Sequence, residues 1–202
     1  MPSRPSAPEA SGSLQRPPSR SGIVRKPLSV RTGSGRTFDQ RLALRFPSLS
    51  KLARWFVGRL PPESRIRQAL NWRGVRLGFE AFNRRDLDAA LIYFRRDVQF
   101  FPPRPLIESG IVEPSYHGHD GYRRFWREWL AAWGRYRAEP QELIDLGDRL
   151  LVLGRLKGHG DGSGTPVEQE YAALIYLRHG QVVRQQEYFE HAEALGDAGL
   201  RE

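Results

Sequence analysis

The stretch Tyr122-Arg123-Arg124-Phe125-Trp126-Arg127-Glu128-Trp129-Leu130-Ala131-Ala132-Trp133 decides the fold class of this 202-residue chain. Tyr122, Phe125, Trp126, Trp129, Leu130 and Trp133 recur at helical spacing, so they share one face of a helix expected over 119–135. Arg123, Arg124, Arg127, Glu128 and Arg135 take the other face. So broad an aromatic ridge needs an apolar surface to bury it, and the residues that follow supply one. Segments 138–146 and 149–158 read as strands joined by a Gly147-Asp148 hairpin turn. Segments 167–178 and 181–190 pair through His179-Gly180, after a flexible Gly-rich connection from Gly158 to Pro166.

Upstream, Trp72, Val75, Phe79 and Phe82 define one side of a helix over 64–83, which Asn83-Arg84-Arg85-Asp86 breaks. Asp86 suits the N-cap of a second helix, 87–95, with Leu87, Ala90, Leu91 and Phe94 on one face and a short strand, Val98 to Phe101, after it. Residues 102–117 form a Pro-rich connection longer than most loops, of the sort that makes lids or mouths. Helices first and a strand meander afterwards predict an α+β domain, with helices on one face of a curved, mainly antiparallel sheet.

The net charge of +9 belongs to the N-terminal extension. Residues 1–62 hold twelve Lys and Arg against Glu9 and Asp39, whereas residues 63–202 are close to neutral. A strongly basic protein suggests nucleic acid, but this distribution argues against nucleic-acid binding by the domain itself. Residues 1–36 are half Ser, Pro and Gly and are expected to be a disordered basic tail. Residues 37–62 differ: Leu49, Leu52, Phe56 and Leu60 form a helical stripe among Lys51, Arg54 and Arg59, and Pro47 separates this helix from a shorter one before it. Such a basic amphipathic helix packs on its own domain or on a partner, or lies on an anionic membrane surface; the first is the expectation here. The map is therefore a tail over 1–36, a helical extension over 37–62 and one domain over 63–202. No apolar run is long enough to span a bilayer and no secretory leader is evident, so a cytoplasmic protein is expected.

Several chemistries lack their residues. Without cysteine there is no disulfide, thiolate metal site or cysteine nucleophile. No Gly-x-Ser-x-Gly or Gly-x-x-x-x-Gly-Lys pattern occurs. His117-Gly118-His119-Asp120 has metal-ligand types but no further ligand set, so His119 and Asp120 read as the start of a helix, and no metal is expected.

The segments Gly78-Phe79-Glu80-Ala81-Phe82-Asn83-Arg84-Arg85-Asp86-Leu87-Asp88 and Tyr116-His117-Gly118-His119-Asp120-Gly121-Tyr122-Arg123-Arg124-Phe125-Trp126-Arg127-Glu128-Trp129 together resemble the SnoaL-like family. Gly162-Ser163-Gly164-Thr165-Pro166-Val167, Gly180-Gln181-Val182-Val183-Arg184 and Glu193-Ala194-Leu195 agree in order and spacing, so the likeness covers about residues 70–200. It implies the α+β cone of the superfamily that includes nuclear transport factor two, ketosteroid isomerase and limonene epoxide hydrolase: three helices packed in the concave face of a strongly bent sheet. It also implies a homodimer through the sheet's outer face and an interior that holds a small apolar molecule. In polyketide cyclases of this kind a carboxylate on the late strands moves protons without a cofactor. The superfamily hosts enzymes and non-enzymes alike, so a non-catalytic ligand-binding or dimerisation module is the alternative.

Proton transfer at carbon needs a base poised near neutrality and a donor for the developing oxyanion. Glu170, Glu187 and Glu190 are the strand carboxylates. Glu170, Glu187 and Tyr188 are the catalytic candidates, and Phe79, Tyr93, Tyr116, Trp126, Trp129, Arg155, Tyr171 and Gln186 the expected pocket lining. Trp126 serves as core and wall at once, and its indole N–H needs a partner if buried. Arg155 either pairs with Glu170 across the sheet or binds a ligand carboxylate. Alternation along the last strand leaves two arrangements: Gln186 and Tyr188 inward, which gives no base on that strand, or Gln185 and Glu187 inward. Glu187 and Tyr188 cannot both point inward without a bulge.

Overall fold

The computed structural model describes residues 23–31, 35–133, 135–159 and 166–200. In chain order these form β1 (Val24–Pro27), α1 (Phe38–Arg45), α2 (Pro47–Val57), α3 (Arg65–Asn83), α4 (Leu87–Leu91), β2 (Phe94–Phe101), α5 (Arg104–Glu108), β3 (Tyr116–His117), α6 (Gly118–Trp133), β4 (Arg135–Asp145), β5 (Arg149–His159), β6 (Pro166–Arg178), β7 (Gln181–Tyr188) and α7 (His191–Asp197). Most of the expected tail, much of the Gly-rich connection and the side chain of Trp133 lie outside the described residues.

The seven strands make one sheet in the order β1-β4-β5-β6-β7-β2-β3, antiparallel except where β2 runs parallel to β7. Its ladders shift register at three places: between Phe94 and Gln99 on β2, and at one extra residue on each of β4 and β7. On β4, Gln141 is an extra residue between the pairs Pro140↔Gly154 and Glu142↔Leu153. A Cβ on Gly154 would lie 2.4 Å from the Glu139 carbonyl oxygen, so only glycine fits opposite this bulge. On β7, Val183 is the extra residue between Tyr176↔Arg184 and Leu177↔Val182. It shifts the alternation by one, so that buried Val182 is followed on the inner face by buried Gln185 and Glu187.

Helices α3, α4 and α6 fill the concave face. The ridge of α6 forms the core: Trp126 is 1% exposed, and Phe82 stacks edge-on against it with centroids 4.1 Å apart. Phe100 from β2 packs on Tyr122 and Phe125. Replacing Trp126 by Ala would cost about 3–5 kcal/mol, the usual range for emptying an aromatic core site. Asp86 caps α4 as expected, accepting from the Ala89 amide at 3.2 Å. This helix ends at Leu91 rather than 95, because Phe94 already belongs to β2.

The opposite sheet face has its own apolar cluster, with Ile144, Leu151, Leu174 and Tyr188 covered by Ala194 and Ala198 of the C-terminal segment. Helix α7 was not anticipated; with seven residues it is too short for periodicity to reveal. Likewise α5 and β3 punctuate the connection expected to be all loop.

The tail expected to be disordered over 1–36 is corrected at its C-terminal end. Residues 24–27 add β1 to the edge of the sheet beside β4, Leu28 is buried, and Trp72 donates its indole N–H to the Pro27 carbonyl at 3.1 Å. Averaged over 36 residues, composition hides the local apolar set Ile23, Val24, Leu28 and Val30. Arg36 then forms a two-point ion pair with Asp86, at 2.6 and 2.7 Å. Helices α1 and α2 lie over the open end of the concave face. Gly58, just past α2, sits so close to the β6–β7 turn that a Cβ would approach the Gly180 nitrogen to 2.4 Å.

Candidate functional site

A cavity of about 520 Å³ lies between this helical roof and the sheet. Leu42, Leu49 and Arg54 come from the roof; Leu77, Phe79 and Phe82 from α3; Tyr93 from the α4–β2 link; Ile175 and Tyr171 from β6; and Val182, Gln185 and Glu187 from β7. The size and mostly apolar lining suit one small organic molecule. Leu49 and Leu70 are exposed members of this wall, so the cavity reaches the surface between α2 and α3.

Glu187 is the polar focus of the interior. It is 7% exposed, and its Oε1 accepts from the Tyr171 hydroxyl at 2.8 Å and from Gln185 Nε2 at 2.9 Å. Burial disfavours the charged form and pushes its pKa up to about 7, although the two hydrogen bonds pull the other way. Both of these hydrogen bonds fall on Oε1, and Oε2 accepts none among the described residues. The carboxyl therefore exchanges a proton near neutrality inside an apolar chamber, the condition for general acid–base work.

Three tyrosines surround it. Burial, reinforced by the nearby Glu187 charge, holds the hydroxyls of Tyr122, Tyr136 and Tyr171 protonated and hence as donors. The Tyr136 hydroxyl is buried and meets no hydrogen-bond geometry among the described residues, although the Trp129 indole is close. Sequence reasoning put Tyr122 in the core ridge and passed over Tyr136 and, as a site residue, Gln185. A polar tip on an otherwise apolar ridge was the available signal for Tyr122.

Phe79, Tyr93 and Tyr171 line the cavity. Burial pushes the Tyr93 hydroxyl up to about 12. The remaining expectations need correction. Tyr188 faces the other side of the sheet and donates to Asp197 at 2.9 Å, because the Val183 bulge sends Gln186 and Tyr188 outward. Glu170 is exposed on the rim of β6 and accepts from the His191 amide at 3.1 Å. Arg155 is also exposed and pairs with Glu168 at 2.6 Å, neither with Glu170 nor with the cavity. Tyr116 is buried in the core, where its hydroxyl donates to Glu128 and accepts from the Glu113 amide. Trp126 is core as well; its indole N–H lacks a hydrogen-bond partner among the described residues, although Tyr122 is close. Trp129 borders a small secondary hollow next to Glu187 rather than the main cavity. Glu190 N-caps α7 at the surface. Among the described residues no three His, Asp or Glu side chains gather as a metal site, and no helix is long and apolar enough to cross a membrane.

A family model described as a SnoaL-like domain matches residues 75–185. Among solved structures, an NTF2-like protein of unknown function from Burkholderia pseudomallei K96243 is 28% identical, with a TM-score of 0.55 over 62% of this chain and 95% of that one. TerC, crystallized with polyporic acid, is 23% identical with a TM-score of 0.55 over 65% of this chain and 98% of its own. A putative SnoaL-like polyketide cyclase from Jannaschia sp. CCS1 is 19% identical, with a TM-score of 0.51 over 66% of this chain and 94% of that one. No curated protein sequence matches the chain significantly.

Proposed function

Because the chain belongs to the SnoaL-like domain family, we propose that its cavity binds a small apolar molecule and that Glu187 moves a proton on it without a cofactor. The observation that carries this reading is the buried Glu187 carboxyl, raised to about 7 at the floor of the apolar cavity and tied to Tyr171. The best-supported step is abstraction of a proton from carbon next to a carbonyl. As the carboxylate takes the proton, the C–H electron pair moves onto the carbonyl oxygen. A tyrosine hydroxyl then stabilises the enolate, and the Glu187 acid returns the proton to the same or a conjugated carbon. Isomerase and cyclase chemistry both contain this step; a hydrolase would direct the same carboxylate at water.

The alternative is a container that binds without reacting. The α1–α2 roof favours it, since a cavity roofed on one side helps to retain a ligand whether or not Glu187 acts. One experiment separates the two. Polycyclic ketones and enones are incubated with the protein in deuterium oxide, and loss of α-proton signals is followed by NMR. Exchange by the wild type that disappears in Glu187→Gln supports catalysis. Binding by both without exchange supports the container, and equal exchange by both removes Glu187 from the mechanism.

A further inference from the structure

Resting on the reading of this cavity as a ligand site, we propose that it is built for an apolar molecule with one anionic group, such as a carboxylate, and that Arg54 receives that group. Four ionisable carboxylate or guanidinium groups line the cavity: Asp39, Arg54, Arg73 and Glu187. Asp39 is satisfied by Arg73 at 3.0 Å. Glu187 is held by Tyr171 and Gln185. That leaves Arg54 as the lining charge with no ion-pair partner among the described residues.

Its hydrogen bonding is also incomplete. Nη2 donates to Ser50 Oγ at 2.7 Å within α2, but Nε is buried with no hydrogen-bond partner among the described residues. Burial of the guanidinium lowers its pKa, as expected for a cation kept from water without a counter-ion. Arg54 as a whole is half-buried; an unpaired charge that is partly withdrawn from water is costly unless something completes it, and a guanidinium offers paired N–H donors in the geometry of a carboxylate. The guanidinium stands 5.8 Å from the Tyr93 ring centroid, so the same corner has an aromatic surface and a phenol as a second donor.

Arg54 is placed at the far end of the cavity from Glu187. Its carbonyl oxygen would meet a Cβ on Gly180 at 2.4 Å, so this turn of α2 is seated on the β6–β7 turn. Gly180, Val182, Gln185 and Glu187 all line the cavity. At about 3.3 Å per strand residue, the seven steps from Gly180 to Glu187, shortened by the Val183 bulge, span roughly 20 Å, less the reach of the two side chains. A ligand with its anionic group at Arg54 would run its apolar body past Val182, Ile175 and Phe79 towards Glu187. This keeps the fixed negative charge away from the carbon that loses a proton, where a second negative charge develops. The substrate class is then a small ring-containing acid that also carries a ketone or enone carbonyl at its Glu187 end, rather than a neutral hydrocarbon or a neutral ketone.

The test uses the full chain with naphthalene-2-acetate and its neutral counterpart naphthalene-2-acetamide, titrated calorimetrically. The wild type is expected to bind the acid at least about tenfold more tightly than the amide, the usual worth of a charge-assisted hydrogen bond. Arg54→Gln should abolish the preference for acid over amide, and Arg54→Lys should keep part of it. Gly78→Leu should weaken both ligands, since a side chain there enters open space on the cavity wall. No acid preference in the wild type, or one that survives Arg54→Gln, overturns the assignment and leaves the cavity reading standing. Failure of both ligands to bind the wild type, or full binding by Gly78→Leu, overturns the cavity reading and this proposal with it.

Discussion

The Tyr171 hydroxyl donates to Glu187 Oε1 across 2.8 Å, joining adjacent strands on the inner face of the sheet. Tyr171 and Glu187 can meet because Val183 is bulged: without the extra residue, Val182 and Gln186 would share a face and Glu187 would point to the α7 side. One inserted backbone unit therefore determines whether the cavity holds a carboxyl group.

That carboxyl makes stability depend on pH in a definite direction. Below pH 4.5 Glu187 is protonated in the folded and unfolded chain alike and costs nothing. Between 4.5 and about 7 the unfolded chain releases the proton while the folded protein retains it, so folding loses free energy as pH rises. Above about 7 the loss is complete, at about 3 kcal/mol. Glu187→Gln avoids this cost. It should melt at a higher temperature than the wild type at pH 8 and at nearly the same temperature at pH 4, which thermal unfolding across that range checks.

Removing the Tyr171 hydroxyl withdraws a bond that favours the carboxylate. In Tyr171→Phe the Glu187 midpoint should rise by about one further unit, since hydrogen bonds to charged groups are worth about 1.5–3 kcal/mol. The pH profile of proton exchange should move up with it. Tyr188→Phe is the control from the opposite face: it loses the Asp197 contact, at a cost of about 1 kcal/mol, and should leave the profile in place.

Glu170→Gln and Arg155→Gln should both leave proton exchange unchanged. Their side chains lie at the surface and reach His191 and Glu168, not the cavity. Exposed ion pairs contribute little, so the melting temperature should stay within about 2 °C. A large loss of exchange in either variant would show that the site lies elsewhere on the sheet.

The α6 ridge and the two hairpins were legible because their signals are long and regular; Trp126 and the Gly147 turn stand where the periodicity puts them. Segment β1 was not, because Ile23, Val24, Leu28 and Val30 are diluted in a Pro- and Ser-rich stretch and the strand pairs only with a distant β4. The site was half legible. Phe79 and Tyr171 follow from patterning, but the orientation of Glu187 depends on a bulge set by partner strands, which alternation along β7 alone does not encode. Arg155 seemed to be the cation of interest because it interrupts an apolar strand. It occupies an outward position, and the cavity-lining guanidinium without an ion-pair partner among the described residues is Arg54, from a helix outside the segment that resembles the family.

The seating of the roof rests on close backbone contact. Gly180 has φ +67, and a Cβ there would lie 2.4 Å from the Arg54 carbonyl oxygen. Gly180→Ala should therefore destabilise the protein by more than about 1 kcal/mol and loosen α2 in particular. Hydrogen–deuterium exchange resolved by peptide should show faster exchange over 47–57 than over α6.

Central to all of this is a buried carboxyl that titrates near neutrality. Carbon-13 NMR of the full chain with labelled glutamate, with the Glu187 resonance assigned by its absence in Glu187→Gln, measures that directly. A Glu187 side-chain carbonyl titrating with a midpoint near 7 is the expected result. A midpoint at the ordinary value of about 4.5 would contradict the account, because the carboxyl would then be ionised throughout the neutral range and too weak a base for the proton transfer assigned to it.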